Sequence, residues 1–137
     1  MDRAPGGAVL EMGLGNGRTY DHMREIAPDR EIWVIDREMN AHPDSAPDAA
    51  HFLQGEAEAM LDELFRRVGR SVALAHYDFG VGVPEHDTPL RESLAPRILR
   101  LLVPGAYLLS NGPFPGRAQE PLPEGVPADR YFIHRVE

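Results

Sequence analysis

The segment Glu11-Met12-Gly13-Leu14-Gly15-Asn16-Gly17 lies between a short apolar run, Ala8-Val9-Leu10-Glu11, and a stretch with helical spacing, Arg18 to Ile26. A strand that runs straight into glycines and then into a helix needs a tight turn. Glycine lets the backbone make that turn with no Cβ in the way. The helix that follows presents free N–H groups at its start. This order opens a parallel α/β unit and is the right context for holding a nucleotide. A glycine triple by itself is also compatible with a plain structural turn.

The rest of the chain continues the alternation. Arg18 to Ile26 puts Tyr20, Met23 and Ile26 on one face, and Pro28 stops it. Glu31-Ile32-Trp33-Val34-Ile35-Asp36 is a nearly all-apolar strand that suits a parallel sheet covered on both sides. Asn40 to Pro47 reads as a loop and His51 to Gln54 as a brief third strand. Glu58 to Val68 carries the stripe Met60, Leu61, Leu64, Phe65 and Val68, which predicts an amphipathic helix. Ser71 to Tyr77 is a fourth strand, and Asp78 to Thr88 a Gly/Pro-rich loop. Leu90 to Val103 is expected to be a helix, with Leu94, Ile98, Leu101 and Leu102 inward and Pro96 marking its start or a kink. Pro104-Gly105 is expected to end that helix and turn the chain into a fifth strand, Ala106 to Ser110. Asn111 to Ala128 holds five prolines and reads as irregular, and Asp129 to Val136 as a last strand. The order implies right-handed crossovers and a mostly parallel sheet between helical layers. Its ligand site is expected at the C-terminal strand ends.

Composition narrows the class. The 137 residues suit one domain, 1–137, large enough to bury a core. Without cysteine there are no disulfides and no thiolate metal sites, which fits a reducing cytoplasm. No stretch approaches the roughly 18 apolar residues that span a bilayer, so a soluble, cytoplasmic protein without a membrane partner is expected. Fourteen basic against twenty-two acidic residues give a net charge of −8, which disfavours binding to nucleic acid. All fourteen basic residues are arginine, as expected of a GC-rich, bacterial genome. Arg66, Arg67 and Arg70 read as the exposed end of a helix, complementing its dipole.

The form of the glycine segment separates cofactors. A dinucleotide fingerprint, G-x-G-x-x-G, requires a third glycine where this chain has Arg18. The sequence instead reads Glu11-x-Gly13-x-Gly15-x-Gly17, which resembles the first motif of the class I S-adenosylmethionine-dependent methyltransferases. The resemblance extends from Val9 to about Ser110. It implies a Rossmann-like three-layer sandwich with S-adenosyl-L-methionine as cofactor, in the manner of small bacterial members. It also implies that Glu11 lies near the cofactor's methionine amino group, with Gly13, Gly15, Asn16 and Gly17 passing under it. An ammonium group suits Glu11, whereas that carboxylate would repel a pyrophosphate. Asp36 closes the second strand nineteen positions after Gly17 and inherits the ribose-binding role, with Glu38 as a fallback. Arg37 either flanks the adenine or faces solvent. Gln54-Gly55-Glu56-Ala57 resembles the family's Gly-Asp-Ala segment, which assigns Glu56 to the adenine amino group and the Ala57 N–H to a ring nitrogen. Glu56 could also cap the following helix. Leu101 to Ala106 resembles the Leu-x-Pro-Gly-Gly turn before the family's fifth strand.

His76-Tyr77-Asp78-Phe79 ends the fourth strand, where the resemblance implies the methyl group and the acceptor. Asp78 is the preferred cofactor contact there. Asp78, His76 and Tyr77 are the candidates for a general base, should one be needed. The Asn/Asp-Pro-Pro-aromatic motif of relatives that methylate an exocyclic nitrogen is missing, so a small-molecule or peptide-like acceptor is expected. His76, Asp78, His86 and Asp87 match no strong metal signature, and no metal is expected. Only about seven residues precede the first strand, where relatives usually carry one or two helices, and the final antiparallel pair looks short. The family fold is therefore expected to be trimmed at both ends, with apolar surface that a second copy of the chain could cover. Two alternatives remain open: a non-catalytic S-adenosylmethionine-binding module and an NAD-dependent oxidoreductase. The second is weakened by Arg18 and by the lack of any lysine for a Tyr-x-x-x-Lys site.

Overall fold

The computed structural model describes residues 6–13, 18–26, 28–37, 47, 49–79, 83–112, 114 and 132–136. Gly15, Asn16, Gly17 and Glu38 lie outside the described residues, as do most of the 40–47 loop and most of the proline-rich segment. In chain order the described elements are β1 (Ala8–Met12), α1 (Arg18–Ile26), β2 (Ile32–Asp36), β3 (Phe52–Gln54), α2 (Ala57–Val68), β4 (Val72–Tyr77), α3 (Pro84–Leu99), β5 (Leu102–Ser110) and β6 (Phe132–Arg135). A 3-10 turn at Ala49–His51 leads into β3.

The strands form one sheet in the order β3-β2-β1-β4-β5-β6. All pairs are parallel except β5 with β6, so the expected α/β architecture is borne out. β1 lies between β2 and β4, and its Val9, Leu10, Glu11 and Met12 are buried. One large apolar cluster joins Leu61 and Leu64 of α2 and Leu94 and Ile98 of α3 to Leu10, Ile35, Ala75 and Leu108 of the sheet. A smaller one joins Tyr20 and Met23 of α1 to Val9, Val34 and Leu74. Tyr20 and Met23 of the first expected stripe, the stripe of α2, and Leu94 and Ile98 of the third are the faces that pack in these two layers, whereas Leu101 and Leu102, expected on the third helix, follow its end, Leu102 opening β5. No described helix is long and apolar enough to cross a membrane.

Two boundaries differ from the sequence reading. α3 begins at Pro84 rather than Leu90, so part of the expected 78–88 loop is helical. Proline suits the first turn, where its missing N–H has no helical acceptor to lose. Glu85 and Asp87 put negative charge at the positive end of the dipole. The Val83 carbonyl accepts from the N–H groups of both His86 (3.0 Å) and Asp87 (2.8 Å). The second difference is at Pro104-Gly105, which lies within β5 and does not end a helix. The β4–β5 register steps from Val72 opposite Leu102 to Leu74 opposite Tyr107, so the Pro-Gly pair occupies a bulge. Gly105 has φ +85°, and its N–H donates to the Val136 carbonyl at 2.6 Å, tying the bulge to the end of β6. The turn signal was real, but a bulge satisfied it.

Leu64 is fully buried between α2 and the sheet. Leu64→Ala should cost about 2–5 kcal/mol in a urea unfolding titration. A loss below about 1 kcal/mol would show that α2 is not packed as described.

Candidate functional site

The sheet order reverses at β1, which opens a crevice at the C-terminal ends of β1 and its neighbours. A cavity of about 490 Å³ lies there. Its wall takes Gly13 from the end of β1, Asp36 and Arg37 from the end of β2, and Gly55, Glu56 and Ala57 from the turn into α2. Asp78 and Phe79 follow β4, and His86 and Leu90 reach in from α3. The volume suits a nucleoside-sized ligand. Residues distant in sequence converge because each ends a parallel strand on the same side of the sheet.

The strand ends are drawn together by the backbone. The Gly13 N–H donates to the Ile35 carbonyl (2.9 Å), the Asp78 N–H to the Met12 carbonyl (2.9 Å) and the Gly55 N–H to the Asp36 carbonyl (3.0 Å). Gly13 has φ +94°, and a Cβ there would lie 2.6 Å from the Asp78 carbonyl oxygen. Only glycine fits that position, for both reasons. Asp36 is half-buried, and its Oδ1 accepts from the Arg37 N–H at 2.6 Å. Arg37 is exposed, and its Nε stands 3.4 Å from Glu56 Oε1, with both side chains about three-quarters exposed. An ion pair that open to water contributes little. Glu56 occupies the N-cap of α2 but makes no side-chain capping bond. Its carboxylate is therefore not used in the way the capping alternative required.

One pleat below the cavity, Glu11 and His76 are register partners on β1 and β4. Strand alternation puts Glu11 on the face of Gly13, and His76 on the face of Asp78. Both side chains are buried, and His76 Nδ1 donates to Glu11 Oε1 at 2.6 Å. Glu11 Oε2 is buried with no partner among the described residues. Burial raises the Glu11 carboxyl above its usual range, against the His76 hydrogen bond and charge, which lower it. Burial alone would lower His76, but the hydrogen bond and charge of Glu11, with the charge of Asp78, outweigh it and hold the imidazole above its ordinary value.

Tyr77 points to the other face. Its ring meets Phe79 and Phe114 edge-on, each at 5.4 Å between centroids. Burial pushes its hydroxyl up to about 12, with Arg91 pulling the other way and Asp87 adding to the rise. Of the three general-base candidates, only Asp78 reaches the cavity wall. Its Oδ1 accepts from Asn111 Nδ2 (3.3 Å), which also donates to the Phe79 carbonyl (3.0 Å). His76 bonds to Glu11, whereas His86 Nδ1 bonds to Asp87 Oδ1 at 3.0 Å on α3. Sequence reasoning missed Asn111, His86 and Leu90 as neighbours of the site. The last two were out of reach while α3 was taken to start at Leu90.

The family model for S-adenosyl-L-methionine methyltransferases matches residues 2–136 of the chain. Among solved structures, the chain is similar to an S-adenosyl-L-methionine methyltransferase from Silicibacter pomeroyi DSS-3. The two share 36% identity with a TM-score of 0.89, over 96% of this chain and 82% of that one. The antibiotic-resistance methyltransferase Kmr is 15% identical, with a TM-score of 0.58 over 95% of this chain and 86% of its own. The aminoglycoside resistance methyltransferase NpmB1 is 18% identical, with a TM-score of 0.53 over 76% and 54%. At such identities these two likenesses concern the fold alone. No functionally curated protein matches the chain significantly.

The Glu11–His76 pair makes a pH prediction. Unfolded, the two groups titrate near 4.5 and 6.5, and both are raised in the fold. The native state therefore holds more protons, and the pair's contribution is largest at low pH and is lost as pH rises through the raised values. Relative to Glu11→Gln/His76→Gln, the ligand-free protein should lose stability between pH 5 and pH 8.5, by at most about 1.4 kcal/mol per pH unit for each extra proton held. Urea titrations at both pH values check this, and a difference that grows with pH would contradict it.

Proposed function

The chain belongs to the S-adenosyl-L-methionine methyltransferase family, and on that premise we propose that the cavity at the ends of β1 to β4 holds the donor beside an acceptor site at Asp78. The protein is an enzyme, and S-adenosyl-L-methionine is its cofactor. The observation that carries the donor's orientation is Glu11 Oε2, a buried oxygen with no partner among the described residues, one pleat below the cavity. An orphaned buried acceptor is costly, and an ammonium group is the partner that repays most. Glu11 receives the methionine amino group, and His76 holds the carboxylate in place from behind. Asp36 accepts from the ribose hydroxyls. Glu56 meets the adenine amino group, and the Ala57 N–H a ring nitrogen, while Arg37 flanks the base. Gly13 leaves the floor open; the family motif assigns Gly15, Asn16 and Gly17 to the donor as well, and they lie outside the described residues.

S-adenosylmethionine, when bound, supplies an electrophilic methyl group on a sulfonium for in-line displacement. This chain's part is mainly positioning, which removes much of the entropic barrier. Tyr77 keeps its proton at neutral pH, so it can donate a hydrogen bond but cannot serve as the base. Asp78, steadied by Asn111, can accept a hydrogen bond or a proton from the acceptor's nucleophile. The modest cavity and the net charge of −8 favour a small-molecule or peptide-like acceptor over nucleic acid.

Calorimetry with S-adenosylhomocysteine tests the assignment. The wild type should bind, and Asp36→Ala should bind about ten- to a hundred-fold more weakly, as expected for a lost charge-assisted hydrogen bond. Equal affinity in the two proteins would remove Asp36 from the site.

A further inference from the structure

His86 and Asp87 are neighbours in the first turn of α3, and His86 Nδ1 stands 3.0 Å from Asp87 Oδ1. A carboxylate has no proton to give, so the imidazole donates and Nδ1 keeps the proton. Nε2 is left with its lone pair, and it has no partner among the described residues. The Asp87 side chain is 18% exposed and that of His86 59%, so a sheltered acid holds a ring that stands in the open. The helix itself does not call for an imidazole here. An acid suits the positive end of its dipole, but a basic group gains nothing there. The cavity gives the ring a use. Asp36, Arg37 and Glu56 line its β2–β3 side, whereas Asp78 and Phe79 after β4 line the other, together with His86 and Leu90 of α3. With the nucleoside on the first side, His86 shares the acceptor side with Asp78.

We propose that His86 Nε2 takes the proton of the methyl acceptor, with Asp87 as the positioning residue that keeps Nε2 free to do so. The substrate class follows from this. The nucleophile arrives neutral and still carrying its proton, as an alcohol, a phenol or an amine does. Its lone pair forms the bond to the methyl carbon, and the carbon–sulfur bond breaks with its electron pair going to sulfur. The O–H or N–H proton passes to Nε2, and the imidazolium then returns it to water. Asp78, steadied by Asn111, orients the nucleophile. Near neutral pH an imidazole is the better match for accepting the proton than a carboxylate. This inference rests on the methyltransferase reading and adds to it the chemistry of the acceptor.

The test uses the whole protein, with nitrogen-labelled histidine and saturated with S-adenosylhomocysteine, at about pH 8, where a neutral imidazole reports its tautomer. The His86 ring should carry its proton on Nδ1 in the wild type and on Nε2 in Asp87→Ala. Phenol is then titrated as a proton-bearing nucleophile, with anisole as the same ring without that proton. Phenol should move the Nε2 resonance saturably, and anisole should leave it in place. A wild-type ring protonated on Nε2, a resonance that phenol does not move, or an equal response to anisole would overturn the proposal. Where labelled S-adenosylmethionine gives methyl transfer to phenol, His86→Gln should lower kcat about a hundred-fold at about pH 7.5, with KM little changed. That loss should shrink towards about pH 10, where phenol sheds its own proton. A loss that stays constant with pH, or no loss, would also overturn it. Where phenol is not methylated, or Asp87→Ala does not fold, the wild-type tautomer and the phenol titration decide. Failure of the wild type to bind S-adenosylhomocysteine would instead count against the donor assignment.

Discussion

At the end of β1 the backbone has no room for a side chain. Gly13 passes so close to the carbonyl of Asp78 that a Cβ would lie 2.6 Å from it, at a φ of +94°. The rest of the site follows from that close pass. It lets β1 pair in parallel on both sides, with β2 and with β4, up to its last residue. It carries the chain out of the sheet where the strand order reverses. Asp36, Glu56 and Asp78, at the C-terminal ends of three different parallel strands, meet it at one cavity.

Below that opening the structure retains a buried carboxylate. Glu11 lies in an otherwise apolar strand at the centre of the sheet, where an ionised group is expensive. His76, its register partner, offsets part of that cost through one oxygen. The second oxygen has no partner among the described residues. An apolar residue at position 11 would pack better, so the acid is best understood as a binding group whose cost the fold carries.

Much of this was legible in the sequence, for identifiable reasons. The stripes Tyr20/Met23 and Leu61/Leu64 repeat at helical spacing, and Ile32 to Ile35 is a continuous apolar run. Such patterns depend on local periodicity, which a linear chain displays directly. The acids at strand ends were legible because parallel strands all deliver their C-termini to one side. Pro104-Gly105 was misread because a turn and a bulge make the same demands on backbone angles. Pro84 and Pro89 disguised the start of α3, since proline within a helical stretch reads as a break unless it falls in the first turns. The pairing of Glu11 with His76 was not legible. It joins residues on two parallel strands, and only the register of β1 against β4 reveals it. Asn111 was hidden in the same way, because its importance lies in the Asp78 carboxylate that the fold brings beside it.

The central claim is that Glu11's second oxygen and Asp36 orient one S-adenosyl ligand across the ends of β1 and β2. A crystal structure of the protein with S-adenosylhomocysteine tests it most directly. The account predicts the ligand's amino nitrogen within hydrogen-bond distance of Glu11 Oε2, and its ribose hydroxyls on the Asp36 carboxylate. A ligand bound with its amino group away from Glu11, or outside the Gly13–Asp78 crevice, would contradict it.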